Sequence, residues 1–180
     1  MSLTYVGLLR GINVGGKNMI PMTDLVSMFA EAGCMDVRTY IQSGNVIFRA
    51  APEECLRLPG RITAAIAKRF GYSVPLVLRT TEDLASVIGN NPFLRVGAPE
   101  GELHVLFLAD LPAAGCVAAL DPNRSPPDAF VVSGREVYLR LPNGAARTRL
   151  TNAYFDTKLA TTSTGRNWRT VIKLLGLATH

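Results

Sequence analysis

Apolar positions along this chain gather into short runs separated by polar, glycine-rich breaks. Strand-like runs occupy 4–9, 37–42, 45–49, 74–79, 103–109, 129–133 and 136–141. Helical spacing fills the gaps. Pro21 can open a helix with Leu25, Met28, Phe29 and Ala32 on its apolar face and Gly33 as its stop. A second helical pattern runs from Glu53 to Phe70. Ile62, Ala65, Ile66 and Phe70 line one side, Gly71 ends it, and Pro59-Gly60 breaks or delays its start.

Through residue 80 the order is strand, helix, strand, strand, helix, strand, which is the split βαβ or ferredoxin-like arrangement. A short helix at 82–89 follows, then a loop through Asn91-Pro92-Phe93 to Gly101. The order then recurs: strand 103–109, helix 113–120, strands 129–133 and 136–141, helix near 149–159, and a threonine-rich closing strand at 161–164. A last amphipathic helix, about 166–176, uses Trp168, Val171, Ile172 and Leu175. The predicted fold is therefore α+β: two ferredoxin-like βαββαβ repeats packed together, with an extra C-terminal helix. The first repeat spans 1–80, a connecting helix and loop 81–102, and the second repeat with the final helix 103–180.

The two halves also share a hairpin pattern. Tyr40-Ile41-Gln42-Ser43-Gly44-Asn45-Val46-Ile47-Phe48 parallels Phe130-Val131-Val132-Ser133-Gly134-Arg135-Glu136-Val137-Tyr138, each with Ser-Gly between two apolar runs.

Composition narrows the class. Of 180 residues, 48% are hydrophobic and 18% charged, enough apolar side chains for a full core. No run approaches the ~20 apolar residues of a membrane span. The start, Met1-Ser2-Leu3-Thr4, carries no secretory pattern, so a cytoplasmic protein is expected. Cys34, Cys55 and Cys116 lie far apart, without metal or redox spacing. His104 sits inside an apolar run and His180 at the end, so a histidine-based metal site or triad is hard to build and no metal is expected. No particular cofactor is indicated.

Net charge is +5, unevenly spread. Residues 137–180 hold Arg140, Arg147, Arg149, Lys158, Arg166, Arg169 and Lys173 against Asp156 alone, a balance of +6 that leaves −1 for the rest. A basic C-terminal region suits a phosphate-bearing partner, but charge alone favours a solvated helix face.

Three segments could carry chemistry. The first is Arg10-Gly11-Ile12-Asn13-Val14-Gly15-Gly16-Lys17-Asn18, directly after the first strand. Glycines let backbone N–H groups approach an anion, and Arg10 and Lys17 add charge. Gly11, four residues, then Gly16-Lys17 nearly match a Walker A loop. That pattern needs Ser or Thr next, where Asn18 stands, and a helix starting at the lysine rather than near Pro21. The segment is better described as a β-to-α loop able to hold a phosphate or carboxylate, or as tight turns whose asparagines satisfy loop carbonyls. The second segment is Thr39 to Asn45, where Gln42 could face the first loop while Ser43 and Asn45 flank a turn glycine. In the third, Thr164-Gly165-Arg166-Asn167-Trp168, Thr164 or Gly165 could cap the last helix, Arg166 could bind phosphate and Trp168 could stack on a base. The alternatives there are an ion-paired arginine and a core tryptophan.

Arg10 to Lys17, Thr39 to Val46, Asn91-Pro92-Phe93 and Arg166-Asn167-Trp168 resemble a bacterial family, the one catalogued as domain of unknown function 1697. The likeness extends over residues 4–178. It implies two ferredoxin-like α+β repeats and supplies no activity, substrate or cofactor. Thr148-Arg149 stands where the family tends to have Ser-Lys, and Arg169 where it often has Asn. Because its signature segments coincide with the three segments above, the resemblance implies one composite site of Arg10, Gly11, Asn13, Gly15, Gly16, Lys17, Gln42, Ser43, Asn45, Arg166, Asn167 and Trp168.

None of the three segments contains Asp, Glu, His or Cys, so general acid–base or nucleophilic chemistry needs a group from elsewhere. The leading expectation is binding of a phosphate-bearing ligand, a nucleotide or nucleic acid, at the glycine-rich loop. One alternative is an enzyme acting on a phosphorylated or carboxylated metabolite. The other is a protein-interaction module that uses exposed sheet edges.

Overall fold

A computed structural model describes residues 1–180. The chain is a mixed α+β protein with two four-stranded antiparallel sheets. It divides into two compact units: Met1–Ala85 together with Leu174–His180, and Ser86–Lys173.

The first unit begins with β1 (Leu3–Leu9), α1 (Met22–Glu31), β2 (Met35–Tyr40) and β3 (Asn45–Ala50). Then come α2 (Pro52–Cys55), α3 (Leu58–Phe70), β4 (Leu76–Thr80) and the start of α4 (Thr81–Gly89). Its sheet order is β2-β3-β1-β4. Alternation along β1 sends Tyr5 and Leu9 into a core with Phe48 of β3 and with Phe29, Ile62 and Ile66 from the apolar stripes of α1 and α3. Val6 and Leu8 project from the other side of the strand and are buried as well. β1 therefore reads as an unbroken apolar run, as a strand buried on both faces should.

The Glu53–Phe70 pattern resolves into two helices. Pro59 lies in the first turn of α3, where its missing N–H costs no bond, so the break falls before it rather than at it. Gly71, with φ +75°, ends α3 and donates its N–H to Ala67. A reciprocal pair opens α4: the Thr80 N–H reaches Asp83 Oδ2 at 2.9 Å, and the Asp83 N–H reaches Thr80 Oγ1 at 3.0 Å.

The second unit contains the rest of α4, α5 (Pro92–Arg95), a 3₁₀ turn at Glu100–Glu102, β5 (Leu103–Leu108) and α6 (Ala114–Ala118). It continues with β6 (Ala129–Ser133), β7 (Glu136–Arg140), α7 (Asn152–Leu159), β8 (Ser163–Asn167) and the start of α8 (Trp168–Ala178). The order here is β6-β7-β5-β8. Leu106, Leu108, Val137 and Leu139 meet Tyr154 and Phe155 of α7. Phe155 packs edge-on against both Phe130 and Tyr154, with ring centroids 5.4 and 5.1 Å apart. Tyr138 Oη donates to the Val87 carbonyl at 3.0 Å, tying α4 to β7.

Four sequence expectations need correction. The segment from Asn91 to Gly101 is not a plain loop, because Asn91 caps a short helix by accepting from the Phe93 N–H. The closing strand lies at Ser163–Asn167 rather than 161–164, so Arg166 sits inside a strand. The last helix consequently begins at Trp168 rather than near 166. Asn167, not Thr164 or Gly165, caps it: its Oδ1 accepts the Thr170 N–H at 2.8 Å.

Candidate functional site

The glycine-rich loop and the Tyr40–Asn45 hairpin are neighbours within the first unit. The Leu9 N–H donates to the Gly44 carbonyl at 2.9 Å, and the Arg10 N–H to Pro75 at 3.1 Å. Beyond that point the backbone repeatedly enters the left-handed region: Gly11 (φ +68°), Asn13 (+53°), Gly15 (+58°), Gly16 (+73°) and Asn18 (+49°). A turn closes Val14 to Lys17, and the Asn13 N–H returns to the Asn18 carbonyl at 3.2 Å.

The asparagines hold this path. Asn13 Nδ2 donates to the Gln42 carbonyl at 2.8 Å and to the Ile20 carbonyl at 3.0 Å, and its Oδ1 accepts the Ile20 N–H at 2.8 Å. Asn18 Nδ2 donates to the Gly11 carbonyl at 3.0 Å. The fully buried Asn45 donates to the Tyr40 carbonyl and to Ser43 Oγ, at 3.1 and 3.0 Å. Their amide groups are thus engaged with loop carbonyls, while Ile12, also fully buried, anchors the loop from beneath.

Gly15, Gly16, Lys17 and Gln42 are exposed, and Arg10 and Ser43 are half-buried. Nothing lies within 4 Å of a Cβ built at Gly11, Gly15 or Gly16, so the space above these backbones is open. A groove of about 340 Å³ runs beside them, lined by Asn13, Ile20, Pro21, Thr23 and Gln42. It meets the first turn of α1, whose N-cap Pro21 supplies no side-chain acceptor. Asp24, the nearest acid in sequence, pairs with Arg69.

Ile41 is the outlier. Its φ of +48° puts a β-branched residue in the left-handed region, at a cost of about 1–2 kcal/mol. It is 51% exposed, so core packing is not what it gains in return.

Arg166, Asn167 and Trp168 belong to the second unit and occupy structural posts there. Arg166 is 9% exposed; its Nη1 donates to Thr164 Oγ1 at 2.8 Å and to the Gly165 carbonyl at 2.7 Å. Burial pushes its pKa down to about 10. Trp168 is 1% exposed, a core anchor rather than an open stacking platform.

Sequence reasoning weighed His104 only as a metal ligand or triad member, whereas the structure places it beside two hollows of this unit. His104, Asn167, Trp168 and Arg169 line a cavity of about 420 Å³. His104 and Asn167 also border one of about 350 Å³ floored by Leu106, Leu139 and Leu150. Burial lowers the His104 pKa, and its Nδ1 is buried without a hydrogen-bond partner. The available signal was a lone polar residue within an apolar strand. No group of three His, Cys, Asp or Glu side chains converges to hold a metal. Cys34 is pushed up to about 11 by burial and Cys55 is raised as well, so neither thiol is an activated nucleophile.

The sequence model of the family described as protein of unknown function (DUF1697) matches residues 2–138. The chain belongs to this family. The DUF1697 match takes in the glycine-rich loop, the hairpin and Asn91-Pro92-Phe93, and ends before Arg166. No curated protein matches the chain. Among solved structures it is similar to conserved bacterial protein SP0830 from Streptococcus pneumoniae, with a TM-score of 0.74 and 20% identity over 99% of each chain. That likeness extends the fold to a distant sequence.

Proposed function

We propose that this protein binds a phosphate-bearing ligand, a nucleotide or nucleic acid, at the Gly15-Gly16-Lys17 turn beside Gln42. The observation that carries the reading is the strained, exposed backbone. Gly11, Gly15 and Gly16 hold exposed left-handed backbone with open space above it, Lys17 is exposed beside them, and the left-handed Asn13, Asn18 and Ile41 add the strain. Strain kept at a surface without a packing return is characteristic of a binding site. An anion is the ligand class that glycine N–H groups and a lysine attract together.

We read each unit as a ferredoxin-like βαββαβ repeat. The support is that β2-β3-β1-β4 and β6-β7-β5-β8 are the same order, with the inserted strand between the two of a split βαβ. A bacterial cytoplasm is the setting we assign, supported by the bacterial source of the similar structure and by three cysteines without disulfides.

Amide NMR is the test. Inorganic phosphate, a nucleoside diphosphate and a short oligonucleotide are each titrated while the Gly15, Gly16 and Lys17 N–H signals are followed. Saturable shifts that Lys17→Ala abolishes are expected. A steep loss of affinity with salt identifies nucleic acid, and a shallow one a nucleotide. Unmoved signals with all three probes refute the reading.

A further inference from the structure

Four strands bound the two sheets: β2 and β4 in the first unit, β6 and β8 in the second. An edge strand offers unpaired N–H and C=O groups to any other strand, and proteins blunt such edges with bulges, charges or cover. β2 is blunted. Its register with β3 slips between Met35 and Arg38, Asp36 takes φ +52°, and Arg38 lies within it. β4 and β8 are mostly buried.

β6 has none of these devices. Ala129-Phe130-Val131-Val132-Ser133 carries no charge and no proline. It pairs with β7 in five regular steps, from Ala129–Arg140 to Ser133–Glu136, with no bulge. Val131 is 39% exposed and Ser133 is exposed, while Phe130 and Val132 lie half-covered at the rim of the unit's core. The groups of β6 that point away from β7 find no partner within the chain.

We propose that β6 pairs with β6 of a second copy of this chain, antiparallel about a two-fold axis, joining two four-stranded sheets into one of eight. The register follows from geometry. A two-fold perpendicular to the sheet keeps each side chain on its own face, and directly opposed residues must share a face. A residue can therefore oppose only itself or one an even number of positions away. Centring on Val131 uses all five residues: Val131 opposes itself, Phe130 opposes Val132, and Ala129 opposes Ser133. Phe130 and Val132 stand on the core face, so each covers the other's exposed side across the seam.

Charge favours a second copy over an unrelated strand. Asp128 precedes β6, and Gly134-Arg135 follows it. The Val131-centred register sets Asp128 opposite Gly134 of the other copy, adjacent to Arg135, and symmetry repeats that match of opposite charge at the far end. No like charges meet. This inference concerns the second unit's sheet edge and does not depend on phosphate binding at the first unit's loop.

Sedimentation velocity over a concentration series tests it on the full chain. The wild type is expected to show a reversible monomer–dimer equilibrium. Val131→Lys places two ammonium groups on the axis and should weaken dimerisation by at least about tenfold, with the far-UV circular dichroism unchanged. Val131→Cys gives a second readout. Opposed strand residues have Cβ atoms about 4.5–5.5 Å apart, within reach of a short bifunctional thiol cross-linker, so such a reagent should trap a dimer linked through residue 131, identified by peptide mapping. A wild type that stays monomeric up to its solubility limit overturns the proposal. So does a dimer that Val131→Lys leaves intact or that Val131→Cys fails to trap. If the wild type stays monomeric yet a synthetic unrelated strand peptide binds β6, the edge serves a foreign partner and the second-copy assignment fails.

Discussion

Gly44 and Leu9 approach so closely that a Cβ on Gly44 would stand 2.9 Å from Leu9 Cβ. The same atom would lie 3.1 Å from Ile12, and the Gly44 backbone has φ +84°. Both neighbours are fully buried, so neither has room to withdraw. This contact is where the hairpin seats on the end of β1.

Gly44→Ala should therefore cost more than a glycine change on the open side of the same site. The left-handed backbone contributes about 1–2 kcal/mol and the overlap about 1–3 kcal/mol. Gly15→Ala, at φ +58° with nothing within 4 Å, should incur the backbone cost alone. Urea melts of the two variants against wild type measure the difference. Equal losses would show that the Gly44 contact is slack.

Arg166 should behave as part of the fold. Arg166→Ala removes the donor to Thr164 and Gly165 and empties a buried volume, an expected loss of about 2–4 kcal/mol. Arg166→Lys retains a cation but loses the planar guanidinium that fills this buried space and holds Nη1 between its two acceptors, so it should recover only part of that stability. Thermal melts rank the three proteins. An Arg166→Ala variant as stable as wild type would contradict the structural post assigned to it.

His104 should make the protein sensitive to acid. Burial holds its folded pKa below the ordinary 6.5. Below that value the unfolded chain takes up a proton that the folded chain resists, so stability declines as pH falls through 6.5. Above it the residue is neutral in both states and contributes no slope. His104→Gln should flatten the dependence on the acid side, read from urea midpoints taken above and below pH 6.5. An unchanged slope would place the acid sensitivity elsewhere.

Much of this architecture was legible because apolar periodicity and punctuation agreed. Pro21, Gly33 and Gly71 bracket α1 and α3 in sequence much as they do in space. The third candidate segment was misread for a physical reason. Ser163, Thr164 and Arg166 form a buried strand from polar residues, so β8 carries no apolar alternation. A polar string before an amphipathic stretch resembles a helix cap, and only its last member, Asn167, fills that role. Gly165 held the missed signal: a Cβ there would stand 2.9 Å from Leu106, the close approach that a strand glycine often marks.

At the loop, residue types marked a candidate site but not their division of labour. Asn13, Asn18 and Asn45 could have faced a ligand, and each instead serves a carbonyl of the loop or hairpin. Hydrogen bonds between segments 29 residues apart, such as Asn13 to Gln42, leave no trace in local spacing.

The first unit takes back Leu174–His180 after the chain has passed through the second, and Arg38 Nη2 donates to the Leu177 carbonyl at 2.6 Å. The boundary between the units is therefore crossed twice. One proteolytic nick near residue 85 releases neither unit whole, because the first still lacks its last seven residues. A translating ribosome faces the same constraint: every residue of the second unit emerges before the first is complete. The two halves look like a simple tandem in sequence, yet the chain threads them as an insertion of one within the other.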